Sequence, residues 1–182
     1  GEMRIIKLSM QFAAFITLFI FLACTSTKFS ALWKDETYQG HPEKMLVINT
    51  FRDPQIRRLF QDEMVKALKE HKVDAVVKYT VLPPDTVVSD KDAIAAQAKE
   101  VGADTVLITK PAGARWDPTG DSVDSDINTH TDVYDMKTNK LISFVSAETR
   151  IRGGSPSISL YRNHVPSYVK DLVNKLSKAG LF

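Results

Sequence analysis

The chain has a single cysteine, Cys24, so it can form no internal disulfide. A CxxC redox pair and a disulfide framework are both excluded, and the folded part must be held by its own core. Excess charge is also scarce: 24 Lys and Arg stand against 22 Asp and Glu, a formal net of +2 at pH 7. That balance does not supply the basic surface that nucleic-acid binding uses, and no nucleic-acid partner is expected. Catalytic signatures are missing as well. The histidines at 41, 71, 130 and 164 have no metal-ligand spacing and no HExxH. Gly153-Gly154 is not followed by GK[ST], and there is no GxSxG elbow. With no constellation of nucleophile, base and oxyanion donor, neither an enzyme nor a cofactor is expected. Internal repeats and low-complexity tracts are absent.

Long apolar runs are few, and the longest is N-terminal. Arg4 and Lys7 precede Leu8–Ala23, a stretch broken only by Ser9, Gln11 and Thr17. At helical rise it would span about 24 Å, short of a bilayer core of roughly 30 Å. Length and flanks fit a secretory signal peptide better than a spanning helix. The run ends Phe21-Leu22-Ala23-Cys24. This resembles the lipobox of bacterial lipoproteins, in which the cysteine thiol takes a diacylglycerol and becomes the new N-terminus. Phe21 stands where that motif usually has Leu. A plain signal peptide, an uncleaved anchor and a small buried thiol are the alternatives. The resemblance implies lipidation of Cys24 and a membrane partner reached through the lipid. One acyl chain binds marginally and two or three bind stably, at about 0.8 kcal/mol per buried CH₂. Thr25 in place of an Asp implies the outer membrane, facing the periplasm. The expected organisation is a signal peptide over 1–23, a lipid-anchored tether over 24–44 and one domain over 45–182.

Within the domain the periodicities alternate. Met45–Thr50 is a short apolar run, as in a buried strand. Asp53-Pro54 reads as N-cap and first helical residue, and Ile56, Leu59, Phe60, Met64, Ala67 and Leu68 then share one helix face. Val73–Leu82 is rich in β-branched residues and predicts a strand. A helix beginning at Ser89 and capped by Gly102 predicts Ile94, Ala98 and Val101 as its apolar face. Ala103–Thr109 predicts a third strand. Residues 122–134 and 140–151 predict an antiparallel hairpin, with Ile127, Thr129, Thr131 and Val133 on one face. A last helix carries Val165, Tyr168, Val169, Leu172, Val173 and Leu176. Gly153–Pro156 reads as a chain break, and 155–163 fits no element. The fold class is α/β (α+β), a three-layer-like mixed sheet in the order β-α-β-α-β-β-β-α. The scattered aromatics of 25–44, Trp33 and Tyr38 among them, are expected to pack on the domain edge.

The stretches LWKDETYQG at 32–40, MLVINTFRDPQIRRLFQDEMVKAL at 45–68, VKYTVLPPD at 77–85, VGADTVLITK at 101–110 and VYDMKTNKLISFVSAET at 133–149 resemble a group of small bacterial lipoproteins. The strand-helix plan is similar to the periplasmic α/β domain of the curli-secretion lipoprotein and to the N-terminal domain of the Tol translocation protein. The resemblance implies an envelope protein that works through a protein partner without catalysis, and it carries over no active-site residue. A small-molecule or ion carrier on the same domain is the alternative.

One candidate site is acidic. Asp117, Asp121, Asp124 and Asp126 fall within DPTGDSVDSD, and close oxygen ligands suit Ca²⁺. The spacing departs from the EF-hand loop, and a polar Asp/Gly/Ser/Pro stretch is also the ordinary composition of a turn. A plain loop, with no metal, is the expectation. The hairpin is expected to offer an edge strand to the partner.

Overall fold

The computed structural model describes residues 26–78, 91–117, 124–151 and 158–182. They form one mixed sheet of six strands with three helices. In chain order these are β1 (Ser26–Lys34), β2 (Lys44–Asn49), α1 (Pro54–Glu70), β3 (Asp74–Val77), α2 (Lys91–Val101), β4 (Thr105–Asp117), β5 (Asp124–Asp135), β6 (Lys140–Ile151) and α3 (Ile158–Lys178). The order across the sheet is β1-β6-β5-β4-β2-β3.

The middle of the chain is an α/β unit. β2 lies between β3 and β4 and is parallel to both. The chain leaves β2 outward to β3, then returns past β2 to β4. Two crossovers of the same hand that travel in opposite directions must place their helices on opposite faces. Accordingly Met45 and Val47 pack with α1 and α3, and Leu46 and Ile48 pack with α2. A strand covered on both faces is apolar at successive positions, which is why Met-Leu-Val-Ile lacks alternation. Asp53 caps α1 as its position predicts: its carboxylate accepts from the Gln55 N–H at 2.8 Å and the Ile56 N–H at 3.1 Å.

β4, β5 and β6 form an antiparallel meander, and their alternation follows from one covered face. Thr129, Thr131 and Val133 of β5 and Val145 and Ala147 of β6 are buried toward α1 and α3. Leu172 and Leu176 of α3 are fully buried in the same core. β4 runs eight residues past the expected end of its strand, to Asp117. Pro111 is accommodated because β2 stops opposite Thr109, so from there β4 needs a ladder partner only on the β5 side.

Three expectations differ from the structure. Residues 26–34, expected to be part of a tether, form the edge strand β1, antiparallel to β6. The hairpin expected at an edge is interior: β5 lies between β4 and β6, and β6 is covered by β1. The last helix begins earlier, at Ile158, and carries Pro166 inside it. The strand expected over 73–82 is described as Asp74–Val77, and its continuation at 79–82 lies outside the described residues, as do Ser89 and the break at 153–156.

Candidate functional site

β1 positions the first part of the site. Its register with β6 slips by one residue between Phe29 and Ala31, so Ser30 is bulged out. The bulge changes which residues share a face. Phe29, opposite Ala147, and Leu32, opposite Val145, lie on the side of α1 and α3; Trp33, opposite Phe144, lies on the other. Phe29 is packed against the core and stacks on Tyr168 at 6.4 Å. Leu32 and Trp33, at 43% and 42% exposure, are the exposed large hydrophobics of the described residues. Both sit toward the end of β1 remote from residue 26. Tyr38 is half-buried against the core, as an edge aromatic should be, whereas Trp33 packs on the opposite face and keeps 42% of its surface exposed.

Beside Trp33, on the sheet face away from α1 and α3, lies a polar ladder. The Trp33 and Phe144 rings stack at 5.9 Å, and Phe144 stacks in turn on the His130 imidazole at 5.5 Å. His130 Nε2 is 2.9 Å from Asp132 Oδ1, and its Nδ1 is 2.8 Å from Ser146 Oγ. Lys110 Nζ donates to Asp132 Oδ2 at 2.9 Å. Two strand periodicities bring these groups together: His130 and Asp132 are alternate residues of β5, and Lys110 and Ser146 are the cross-strand neighbours of His130. The Asp132 side chain is 6% exposed, so its charge is held beside a cation and an imidazole and away from water.

Ser146, His130 and Asp132 stand in the order of a hydrolytic relay, but nucleophilic catalysis also needs N–H donors converging on the developing oxyanion. At Ser146 the strand β6 is paired on both sides, to β1 and to β5, with the β1 bulge at Ser30 beside it. The arrangement fixes side chains on a sheet face.

The second part is a groove between the start of β1 and the last turns of α3. Its volume is about 470 Å³, and Lys28, Phe29, Asp171, Asn174, Lys175 and Lys178 line it. The Lys175 ammonium lies 5.7 Å from the centre of the Phe29 ring, a cation–π contact. Two other pockets are small. One, of about 20 Å³, is lined by Phe60, Ile127 and Tyr168 among others; one, of about 40 Å³, lies beside Ile94 and Tyr134. Each has room for only a few waters, where small-molecule sites span about 300–1,000 Å³.

Burial raises the phenol of Tyr168, and hydrogen bonds to Thr129 and Thr131 partly offset it. Burial also raises Tyr134, with Asp132 adding to the shift and Lys110 opposing it. Asp35 is lowered by its hydrogen bonds from the Thr37 hydroxyl and N–H.

Of the residues singled out from the sequence, Asp117 and Asp124 are opposite each other in the β4–β5 ladder, and Asp126 is opposite Arg115. Asp117 is therefore a strand residue where a loop was expected, and Asp124 and Asp126 belong to β5, within the strand expected over 122–134. Asp121 and Cys24 lie outside the described residues. Lys110 and Ser146 were missed. Alternation put His130 and Asp132 on one face, but only register shows which residues of β4 and β6 stand beside them.

No protein-family model matches the chain, and no curated protein matches it in sequence. Solved structures resemble it in shape. A PelC dodecamer subunit from Paraburkholderia phytofirmans is 12% identical, covering 82% of this chain and 97% of its own, with a TM-score of 0.46. Lipoprotein GNA1162 from Neisseria meningitidis is 15% identical, over 73% of this chain and 99% of its own, at 0.49. A minor lipoprotein from Acinetobacter baumannii is 6% identical, over 76% and 94%, at 0.42. Likeness of this degree assigns the chain to no family.

Among the described residues no helix is long and apolar enough to cross a membrane.

Proposed function

We propose that this chain is a cell-envelope lipoprotein, anchored through Cys24 to the periplasmic face of the outer membrane, that acts without catalysis by binding another envelope protein. The observation that carries the contact reading is Leu32 and Trp33 standing exposed on β1, an edge strand nine residues long. The outer side of an edge strand offers N–H and C=O groups to a further strand, and apolar side chains beside them supply binding energy. Trp is also among the residues that most often dominate protein interfaces. The anchor reading rests on the run Leu8–Ala23 followed directly by Cys24.

The partner strand would lie along β1 and meet Leu32 on one face and Trp33 on the other. The test is the full chain carrying Leu32→Asp and Trp33→Asp, solubilised in mild detergent beside the wild type. An envelope protein retained by the wild type and lost by the folded double variant is the expected result. The same retained proteins in both would refute β1 as the contact strand.

A further inference from the structure

β1 begins only two residues after Cys24, and this leaves little freedom in how the domain sits on its membrane. Successive residues span at most about 3.3–3.6 Å each. Thr27, three residues beyond Cys24, therefore lies within about 11 Å of the anchored residue in any conformation of the intervening chain. Thr27 is also in the wall of the groove between β1 and α3. Whatever surface holds Cys24 is thus within about 11 Å of the groove wall, not far beyond the Debye length of about 8 Å at physiological salt.

The groove suits such a surface. Lys28, Lys175 and Lys178 line it against one acid, Asp171. Two of these lysines are in the last turn of α3, where they also offset the helix dipole. Lys28 comes from β1, where it is opposite Glu148 on the face turned from α3, and it borders the groove from the edge of the sheet. Its cross-strand neighbour Glu148 is 3.7 Å from Arg150. The volume of about 470 Å³ is ample for a phosphate-bearing headgroup, and Asn174 and Thr27 add hydrogen-bonding groups.

We infer that the groove formed by Lys28, Lys175 and Lys178 binds anionic phospholipid headgroups of the membrane that holds Cys24, and so fixes the orientation of the domain. This rests on the anchor reading above. In this orientation β1 runs away from the membrane. Lys34, eight residues beyond Ser26, lies about 26 Å along the strand, and Leu32 and Trp33 are carried clear of the headgroups toward a partner. A lysine close to an anionic leaflet strengthens binding about fivefold, so three reach roughly a hundredfold.

The test is lysine footprinting on the full chain purified from membranes. The protein is reconstituted in vesicles of phosphatidylcholine alone, or with about one-third phosphatidylglycerol. A water-soluble acetylating reagent is then read out by peptide mass. Lys28, Lys175 and Lys178 are expected to label at least fivefold more slowly in the anionic vesicles, with the protection lost at 1 M salt. Lys137 and Lys140, exposed at the other end of the sheet, are expected to label alike in both. Equal labelling of the groove lysines in the two vesicles overturns the inference. So does protection of Lys137 and Lys140 instead, or the same protection by inorganic phosphate in phosphatidylcholine vesicles. The intact mass of the same sample separates the two proposals. A lipid on Cys24 without groove protection refutes the groove alone; protection without the lipid mass refutes the lipid alone.

Discussion

Trp33 and Phe144 are directly opposite in the β1–β6 ladder, and their rings stack at 5.9 Å with planes 25° apart. The pair ties a segment of polar composition to the sheet, on the face away from α1 and α3. Cross-strand aromatic pairs contribute about 0.5–1.5 kcal/mol beyond area burial. With Trp33 42% exposed, the lower part of that range is expected. A double-mutant cycle of Trp33→Ala and Phe144→Ala, read by urea unfolding, should give a coupling of about 0.5 kcal/mol or more. Additive single mutants would place Trp33 elsewhere than over Phe144.

Tyr168 ties α3 to the sheet through its hydroxyl, 2.6 Å from Thr129 Oγ1 in the core. Tyr168→Phe leaves a buried hydroxyl short of a partner and should cost about 1–3 kcal/mol. The same residue sets an alkaline limit. Its folded pKa is raised from 10.0, chiefly by burial, so the folded state keeps a proton that the unfolded state loses. The stability from this group is full below pH 10 and falls as pH rises above it. Unfolding free energies between pH 9 and 11 should decline more steeply in the wild type than in Tyr168→Phe; equal slopes would contradict this.

The core makes a graded prediction. Leu172 is 0% exposed, and Leu172→Ala should cost about 2–5 kcal/mol. Leu59 is only partly buried against the same cluster, so Leu59→Ala should cost less than Leu172→Ala. Denaturant midpoints at constant slope decide the order.

At the start of α1, Asp53→Ala removes the acceptor for two backbone N–H groups and should cost about 0.5–2 kcal/mol. Asp53→Asn keeps an acceptor oxygen and should recover most of that. Thermal midpoints of the two variants check both statements.

Local chemistry made much of this fold legible. Asp53-Pro54 marked α1 to the residue, and Gly102, at φ +67°, marked the end of α2. The hairpin was legible because Ile127, Thr129, Thr131 and Val133 alternate with half-polar neighbours. Its position in the sheet was not, because pairing order depends on contacts far apart in sequence. β1 was hidden by its own bulge: with Ser30 looped out, Phe29 and Leu32 share a face three residues apart, which breaks the two-residue period. α3 was read from Val165 because its regular apolar stripe begins there, whereas the helix itself starts about two turns earlier, at Ile158. The His130–Asp132–Lys110–Ser146 ladder needed register, which composition and periodicity do not carry.

Under the proposed function β1 is the strand presented to an envelope partner, and site-specific photo-crosslinking in intact cells tests this most directly. A photoreactive residue is placed at Leu32 and, as a control, at Asp74 on β3, the opposite edge of the sheet. A discrete protein adduct is expected from position 32, at several times the yield from position 74. No adduct at 32 beyond the control, in a full chain shown to be folded, would contradict it.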